Sequence, residues 1–155
     1  MGVLLATGAI PAHPVPGGYA IRAVDEADTE VLGRLYFDAY PAGVAGDTLD
    51  EATADIRATF AGAYGELWTA ASPLVTYHGT GVGAALTVRL APWPDVPAVP
   101  FVVELFVAAG HRRRGLARAL LAEVGAVVGG PVALRVEESN TAARALYASL
   151  GFHRP

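Results

Sequence analysis

The sequence predicts an α/β chain whose central mixed sheet is flanked by helices, and three observations carry that prediction. β-type runs alternate with capped, amphipathic stretches of helical period in the order β-α-α-β-β-β-α-β-α, which is mixed rather than doubly wound. The chain has 155 residues, of which 53% are hydrophobic and 17% charged, enough for one core without covalent staples. There is no internal repeat and no low-complexity block to suggest a second unit. One domain over residues 18–155 follows. Residues 1–17, broken by Pro11, Pro14 and Pro16, suggest a mostly disordered tail.

The elements can be justified in order. Tyr19–Val24 alternates apolar and polar residues as a strand does, and the acidic run after it caps a helix from about Asp25 to Asp38. A second helix opens at Asp47, with Asp50 and Glu51 near its N-terminus and Leu49, Ile56 and Phe60 on one stripe. The runs PLVTYHG and GVGAALTVRLAP flank a glycine-rich corner at Gly79-Thr80-Gly81, which signals a hairpin. Val99 to Val107 is apolar on both faces except at Glu104, the pattern of a central buried strand. A helix near Gly115–Val128 follows, with Leu116, Leu120, Leu121 and Val124 on one stripe. The strand PVALRV and a last helix with Asn140 as N-cap and Gly151 just past its end complete the order.

Composition excludes several chemistries. With no cysteine, disulfides, thiolate catalysis and Cys-based metal sites are ruled out. All 11 basic residues are arginine, so Schiff-base chemistry and a phosphate loop ending in Gly-Lys are ruled out too. His13, His78, His111 and His153 show no ligand spacing, and no metal is expected. The opening segment lacks a basic n-region and a small-residue cleavage site, and it is too short and broken to span a membrane; a cytoplasmic setting with no membrane partner is the expectation. Its Met-Gly start has Ala6 where a myristoylation site needs Ser or Thr.

Charge is unevenly distributed. Residues 1–100 carry a net charge of −7 and residues 101–155 a net charge of +3. Three arginines, Arg112, Arg113 and Arg114, stand directly before Gly115 and an apolar helix. A helix N-terminus already carries about half a positive charge, so cations there are unfavourable by roughly 0.3–1 kcal/mol each unless an anion arrives. Strand, arginine-rich turn, glycine and helix is the layout of a pyrophosphate cradle, in which first-turn N–H groups point at the phosphates. A solvated basic face is the plainer alternative. The overall charge of −4 and the lack of a wider basic stripe count against nucleic acid.

Two motifs in order resemble the GNAT superfamily of acyl-CoA-dependent N-acyltransferases. The first, Q/R-x-x-G-x-G/A after a strand, stands as Glu104–Val107 followed by Arg112, Gly115 and Ala117; the second stands as Asn140, Ala143, Tyr147, Gly151 and Phe152. The resemblance covers about residues 18–155 and is most specific over 99–152. It implies a GNAT-like acyl-CoA N-acyltransferase fold and acetyl-CoA as acyl-donor cosubstrate. It also implies that the backbone of Leu105, Phe106 and Val107 binds the pantetheine arm, and that Arg112, Arg113, Arg114, Gly115, Leu116 and Ala117 surround the pyrophosphate, with Asn140 nearby. The implied activity is transfer of an acetyl group to a primary amine of a small molecule or peptide. A catalytically silent acyl-CoA sensor is the alternative.

Direct attack of an amine on a thioester moves two protons, one off the amine and one onto the leaving sulfur. Tyr147 is the candidate acid by its motif position, with core packing beside Ala143, Leu146 and Leu150 as the bland alternative. Glu104 is the candidate base, as the lone charge in an apolar strand, where burial raises its pKa. Strand parity puts Glu104 with Phe106, opposite Val103 and Leu105, whereas the base in several GNAT members falls on the latter face; a bulge would re-aim it. Acceptor binding and structural pairing are its other roles. Arg135 stands where ribosomal-protein N-terminal acetyltransferases carry a base Glu, which counts against that activity. Glu137 and Glu138 suit capping of the last helix. Trp68, Trp93, Tyr36, Phe37 and Tyr40 either wall the acceptor or serve as core or surface anchors. Relative to the family, the chain is shortened at its C-terminus by two strands: the sheet is smaller, a homodimer partner lends a strand, or a tail is missing.

Overall fold

The computed structural model describes residues 2–155. Six strands form one mixed sheet: β1 (Gly2–Thr7), β2 (Tyr19–Ala23), β3 (Pro73–Tyr77), β4 (Thr80–Val88), β5 (Phe101–Val107) and β6 (Val132–Glu137). Four helices cover it: α1 (Thr29–Ala39), α2 (Leu49–Phe60), α3 (Leu116–Val128) and α4 (Thr141–Ser149). The sheet order is β1-β6-β5-β4-β3-β2, antiparallel at every pair except β5–β6.

Three of the four helical starts, those leading into α1, α2 and α4, lie where the sequence provides a side-chain cap. Asp25 and Asp28 form a capping box for a short 3-10 turn leading into α1, and Thr48 accepts from the Glu51 amide at the start of α2. Asn140 accepts from the Ala143 amide at 3.2 Å to start α4. The β3–β4 turn is tighter than the sequence suggested. Its two central residues are His78 and Gly79, both with positive φ, so Thr80 already belongs to β4.

The core has two main layers. On one face, Leu116, Leu120, Leu121 and Val124 of α3 and Tyr147 and Leu150 near α4 pack on Val75, Val82, Val102 and Leu134. On the other, Leu32, Leu35 and Tyr36 of α1 and Ala52 and Ile56 of α2 pack on Leu74, Ala84, Leu86 and Phe106.

The N-terminal segment departs from the disordered tail suggested for residues 1–17. Met1 lies outside the described residues, but Gly2–Thr7 pairs antiparallel with β6 over its whole length, from Gly2 opposite Glu137 to Thr7 opposite Val132. The Ala6 amide and carbonyl also bond the carbonyl and amide of His153, at 2.8 and 2.9 Å. The apolar run thus closes a sheet edge rather than staying in water. Beyond it, residues 8–18 return to β2 at the opposite edge. They pass along α3, with Ile10 against Gly125 and His13 against Gly115.

Candidate active site

The site forms where the sheet opens. The parallel β5–β6 pair holds only at Phe101–Ala133 and Val102–Leu134, after which the strands part. On the other side β5 stays paired with β4, but the register steps from Leu86–Glu104 to Thr87–Val102, leaving Val103 as an extra residue. The β-bulge re-aims Val103 and leaves Glu104 on the face of Phe106, so the parity reading of Glu104 stands unchanged. Val103 consequently packs toward α1 and α2, Leu105 and Val107 toward α3, and Glu104 meets α1.

Glu104 keeps part of its surface open to solvent while protein surrounds most of it. Its Oε2 accepts from the Tyr40 hydroxyl at 2.9 Å, and that hydroxyl also approaches the Leu105 carbonyl at 3.3 Å. Burial raises the Glu104 carboxyl to about 7, offset in part by the Tyr40 hydrogen bond, with the Asp55 charge pushing the same way as burial. Tyr36, whose ring lies 6.0 Å from Phe106, interacts with both carboxylates. Asp55 in turn accepts from the Tyr64 hydroxyl. Among the described residues, neither Glu104 nor Asp55 pairs with an arginine.

Tyr147 approaches from the other face of the sheet. It is buried, packs against Phe152 with ring centroids 5.7 Å apart, and is pushed up to about 12 by burial first and the Glu104 charge second. The two faces communicate here through charge, the Glu104 carboxylate acting on the Tyr147 hydroxyl from across the sheet. The core-packing and site readings of Tyr147 are therefore compatible.

The anion cradle lies at the start of α3. Gly115 is its N-cap, with φ +78, and no side chain caps the helix, so the first-turn N–H groups are left without protein acceptors. Arg113, also at positive φ (63), and Arg114 are exposed and have no hydrogen-bond or ion-pair partner among the described residues. Arg112 differs. Its Nε donates to the Val107 carbonyl at 3.0 Å and its Nη2 to the Ala39 carbonyl at 3.1 Å, so its side chain is engaged within the fold. Leu116 is buried and Ala117 half-buried behind this turn. The Asn140 side chain is occupied in capping α4. Uncapped amides, two unpaired arginines and the unpaired edge of Val103–Val107 together suit a long polyanionic ligand with an extended arm.

Residues 30–152 match the Acetyltransferase (GNAT) family. The chain belongs to that family. No curated protein matches its sequence. Among solved structures, the chain resembles a GCN5-related N-acetyltransferase from Sphaerobacter thermophilus, with a TM-score of 0.71 and 19% identity. That match covers 99% of this chain but 48% of the other, so the chain spans about half its length. An aminoglycoside N-acetyltransferase in complex with CoA matches with a TM-score of 0.67 and 22% identity, covering 91% of each chain. The ribosomal-protein-S18-alanine N-acetyltransferase from Escherichia coli matches with a TM-score of 0.63 and 24% identity, covering 86% of this chain and 76% of that one. At these identities the likeness establishes the GNAT fold.

The link of Tyr40, offered by the sequence as an acceptor wall or an anchor, and of Asp55 to Glu104 was not legible in the sequence. Tyr40 and Asp55 belong to no motif, and only tertiary packing brings Tyr40 to Glu104, 64 residues away. The tryptophans take surface roles: Arg89 stacks 4.2 Å over Trp68, and Trp93 lies against Phe101 and Arg135. Arg135 pairs with Asp95, and Glu138 with Arg154. Among the described residues, no His, Asp and Glu cluster could hold a metal, and no helix is long and apolar enough to cross a membrane.

Proposed function

We propose that this chain is an N-acetyltransferase that moves an acetyl group from acetyl-CoA to the primary amine of a small molecule or peptide. The observation that carries this reading is the hydrogen-bonded Glu104–Tyr40 pair on β5 where β6 leaves it, beside an uncapped helix start flanked by free arginines, with Tyr147 within reach of the Glu104 charge. The amides of Arg112 to Ala117, with the Arg113 and Arg114 side chains, would hold the phosphates. The backbone of Leu105, Phe106 and Val107, which β6 does not pair, would hold the pantetheine arm, with the Leu105 and Val107 carbonyls already shared with Tyr40 and Arg112. Bound acetyl-CoA supplies the acetyl group as a thioester.

Glu104 takes a proton from the attacking amine. Its carboxyl, raised to about 7 by burial, is basic enough to accept that proton and still ionised in a useful fraction near neutrality. Tyr147, held protonated by burial and by the Glu104 charge, donates from its hydroxyl to the departing sulfur. The two unneutralised carboxylates on the α1–α2 side favour an acceptor that arrives as a cation.

Calorimetric titration with acetyl-CoA, followed by thiol release across a panel of amines, tests this reading. Micromolar binding that vanishes in Gly115→Asp, with turnover falling roughly 10²-fold in Tyr147→Phe, supports it. Binding without turnover toward any amine would favour the sensor alternative, and full activity of Tyr147→Phe would remove the acid.

A further inference from the structure

The first arginine of the cradle faces away from the other two. Arg112 grips two backbone carbonyls, that of Val107 at the end of β5 and that of Ala39 at the end of α1, at 3.0 and 3.1 Å. The residue after Ala39 is Tyr40, whose hydroxyl holds the Glu104 carboxylate at 2.9 Å and approaches the Leu105 carbonyl at 3.3 Å. Guanidinium and phenol are therefore two adjacent clasps between the same pair of element ends. One fixes the backbone, and the other fixes the carboxylate.

The residue type fits this task. The last carbonyls of a helix have no intrahelical donor, and α1 ends at Ala39 with no basic residue in its own last turn. A planar guanidinium offers several donors in a rigid fork and can bridge two carbonyls, which a lysine ammonium does with no fixed geometry. The backbone of Arg112 meanwhile begins the turn that leads to Gly115, so one residue joins the cradle to the seat of the carboxylate.

We propose that Arg112 is a positioning residue of this enzyme: through the end of α1 it fixes Tyr40, and through Tyr40 the Glu104 carboxylate, while phosphate contact by side chains falls to Arg113 and Arg114. The inference rests on the acetyltransferase reading and deepens it. It also gives a route by which closing of the cradle on an anion tightens the base. The groups that face Glu104 are Tyr36 of α1, Tyr40 at its end, Asp55 of α2, Tyr64 beyond it and Tyr147 of α4. None is a cation, so Arg112 acts on the carboxylate through Tyr40.

The test compares Arg112→Ala, Arg114→Ala, Tyr40→Phe and the Arg112→Ala/Tyr40→Phe pair in the full chain. Acetyl-CoA affinity is read by calorimetry, and turnover by thiol release with an amine that supports it. Arg114→Ala should weaken acetyl-CoA binding about tenfold, as loss of a charge-assisted phosphate contact does, while Arg112→Ala stays within about twofold. Arg112→Ala should instead lower kcat about tenfold and move the acid limb of the pH profile upward, as Tyr40→Phe does. The pair should be no slower than Tyr40→Phe alone, and millimolar guanidinium should restore the Arg112→Ala single variant only. A tenfold loss of acetyl-CoA affinity in Arg112→Ala, or effects that multiply in the pair, would overturn the proposal. A wild type that does not bind acetyl-CoA defeats the acetyltransferase reading instead. The clasp is then read in the free protein, by NMR titration of Glu104 and amide exchange at the end of α1. Arg112→Ala must raise both the Glu104 midpoint and the exchange; no change in either sinks the clasp as well.

Discussion

Glu104 is where local chemistry and stability pull against each other. A carboxyl that burial raises to about 7 holds its proton more tightly in the folded chain than in the unfolded one. Between the ordinary carboxylate value and about 7, the folded state therefore binds more protons than the unfolded state, and stability falls as pH rises through that window. The contribution is fully present below the unfolded value and lost above the folded one. Thermal melts of Glu104→Gln against wild type should show the variant gaining on the wild type from pH 5 to pH 8; a constant difference would mean that the carboxyl titrates normally. Activity has the opposite sign, because a base must be ionised, so the rate should climb through about pH 7 and the limb should vanish in the variant. Glu104 was legible because one charge in an apolar strand has no solvation partner in the local sequence. Its pairing with Tyr40 and the nearness of Asp55 were not, since nothing near them in sequence reveals that α1 and α2 bring them to β5. Arg112 was legible as part of a cradle, but the course of its side chain was not, because a motif fixes the backbone and leaves the side chain free to turn toward Ala39.

At the level of elements, α3 contains a residue that its own helix does not explain. Gly125 lies inside a helix of 13 residues, where glycine costs roughly 1 kcal/mol relative to alanine. A Cβ there would lie 2.8 Å from Cβ of Ile10, closer than real side chains come. The glycine is room for the segment after β1. Gly125→Ala therefore sets helix propensity against a clash, and the clash should win by about 1 kcal/mol, since inserted methyl groups in packed sites typically cost 1–3 kcal/mol. Urea unfolding should show Gly125→Ala destabilised and the Ile10→Gly/Gly125→Ala pair more stable than the two single effects predict. A stabilised Gly125→Ala would mean that the segment does not dock on α3. The sequence marked the prolines here correctly as breakers of regular structure. It could not mark the docking, because one isoleucine meeting one glycine leaves no periodic trace.

Across the whole molecule, the fold is closed by its own beginning. The motif resemblance implies a sheet shortened beyond the last helix. β1 instead lies between β6 and His153, bonded to both, and Leu4 and Ala6 pack against the small cluster of Val88, Ala91, Phe101 and Ala133. The helical and sheet periods predicted every other element to within a few residues. Strand pairing between the two ends of a chain has no such local signal, and the apolar start reads alike as tail or strand until β6 offers an edge. An uncovered β6, buried over Val132–Leu134, would template association with other chains. Ala6→Pro tests this directly. It removes the N–H that bonds the His153 carbonyl and places a ring where the strand has no room for one, at a cost of about 3 kcal/mol by analogy with proline in other regular structure. The variant should melt at a lower temperature and, as β1 detaches, show dimers or larger species by light scattering at concentrations where the wild type shows none. An Ala6→Pro protein that melts like the wild type and keeps its mass would mean that β6 is stable as an edge, and that β1 covers a sheet already complete without it.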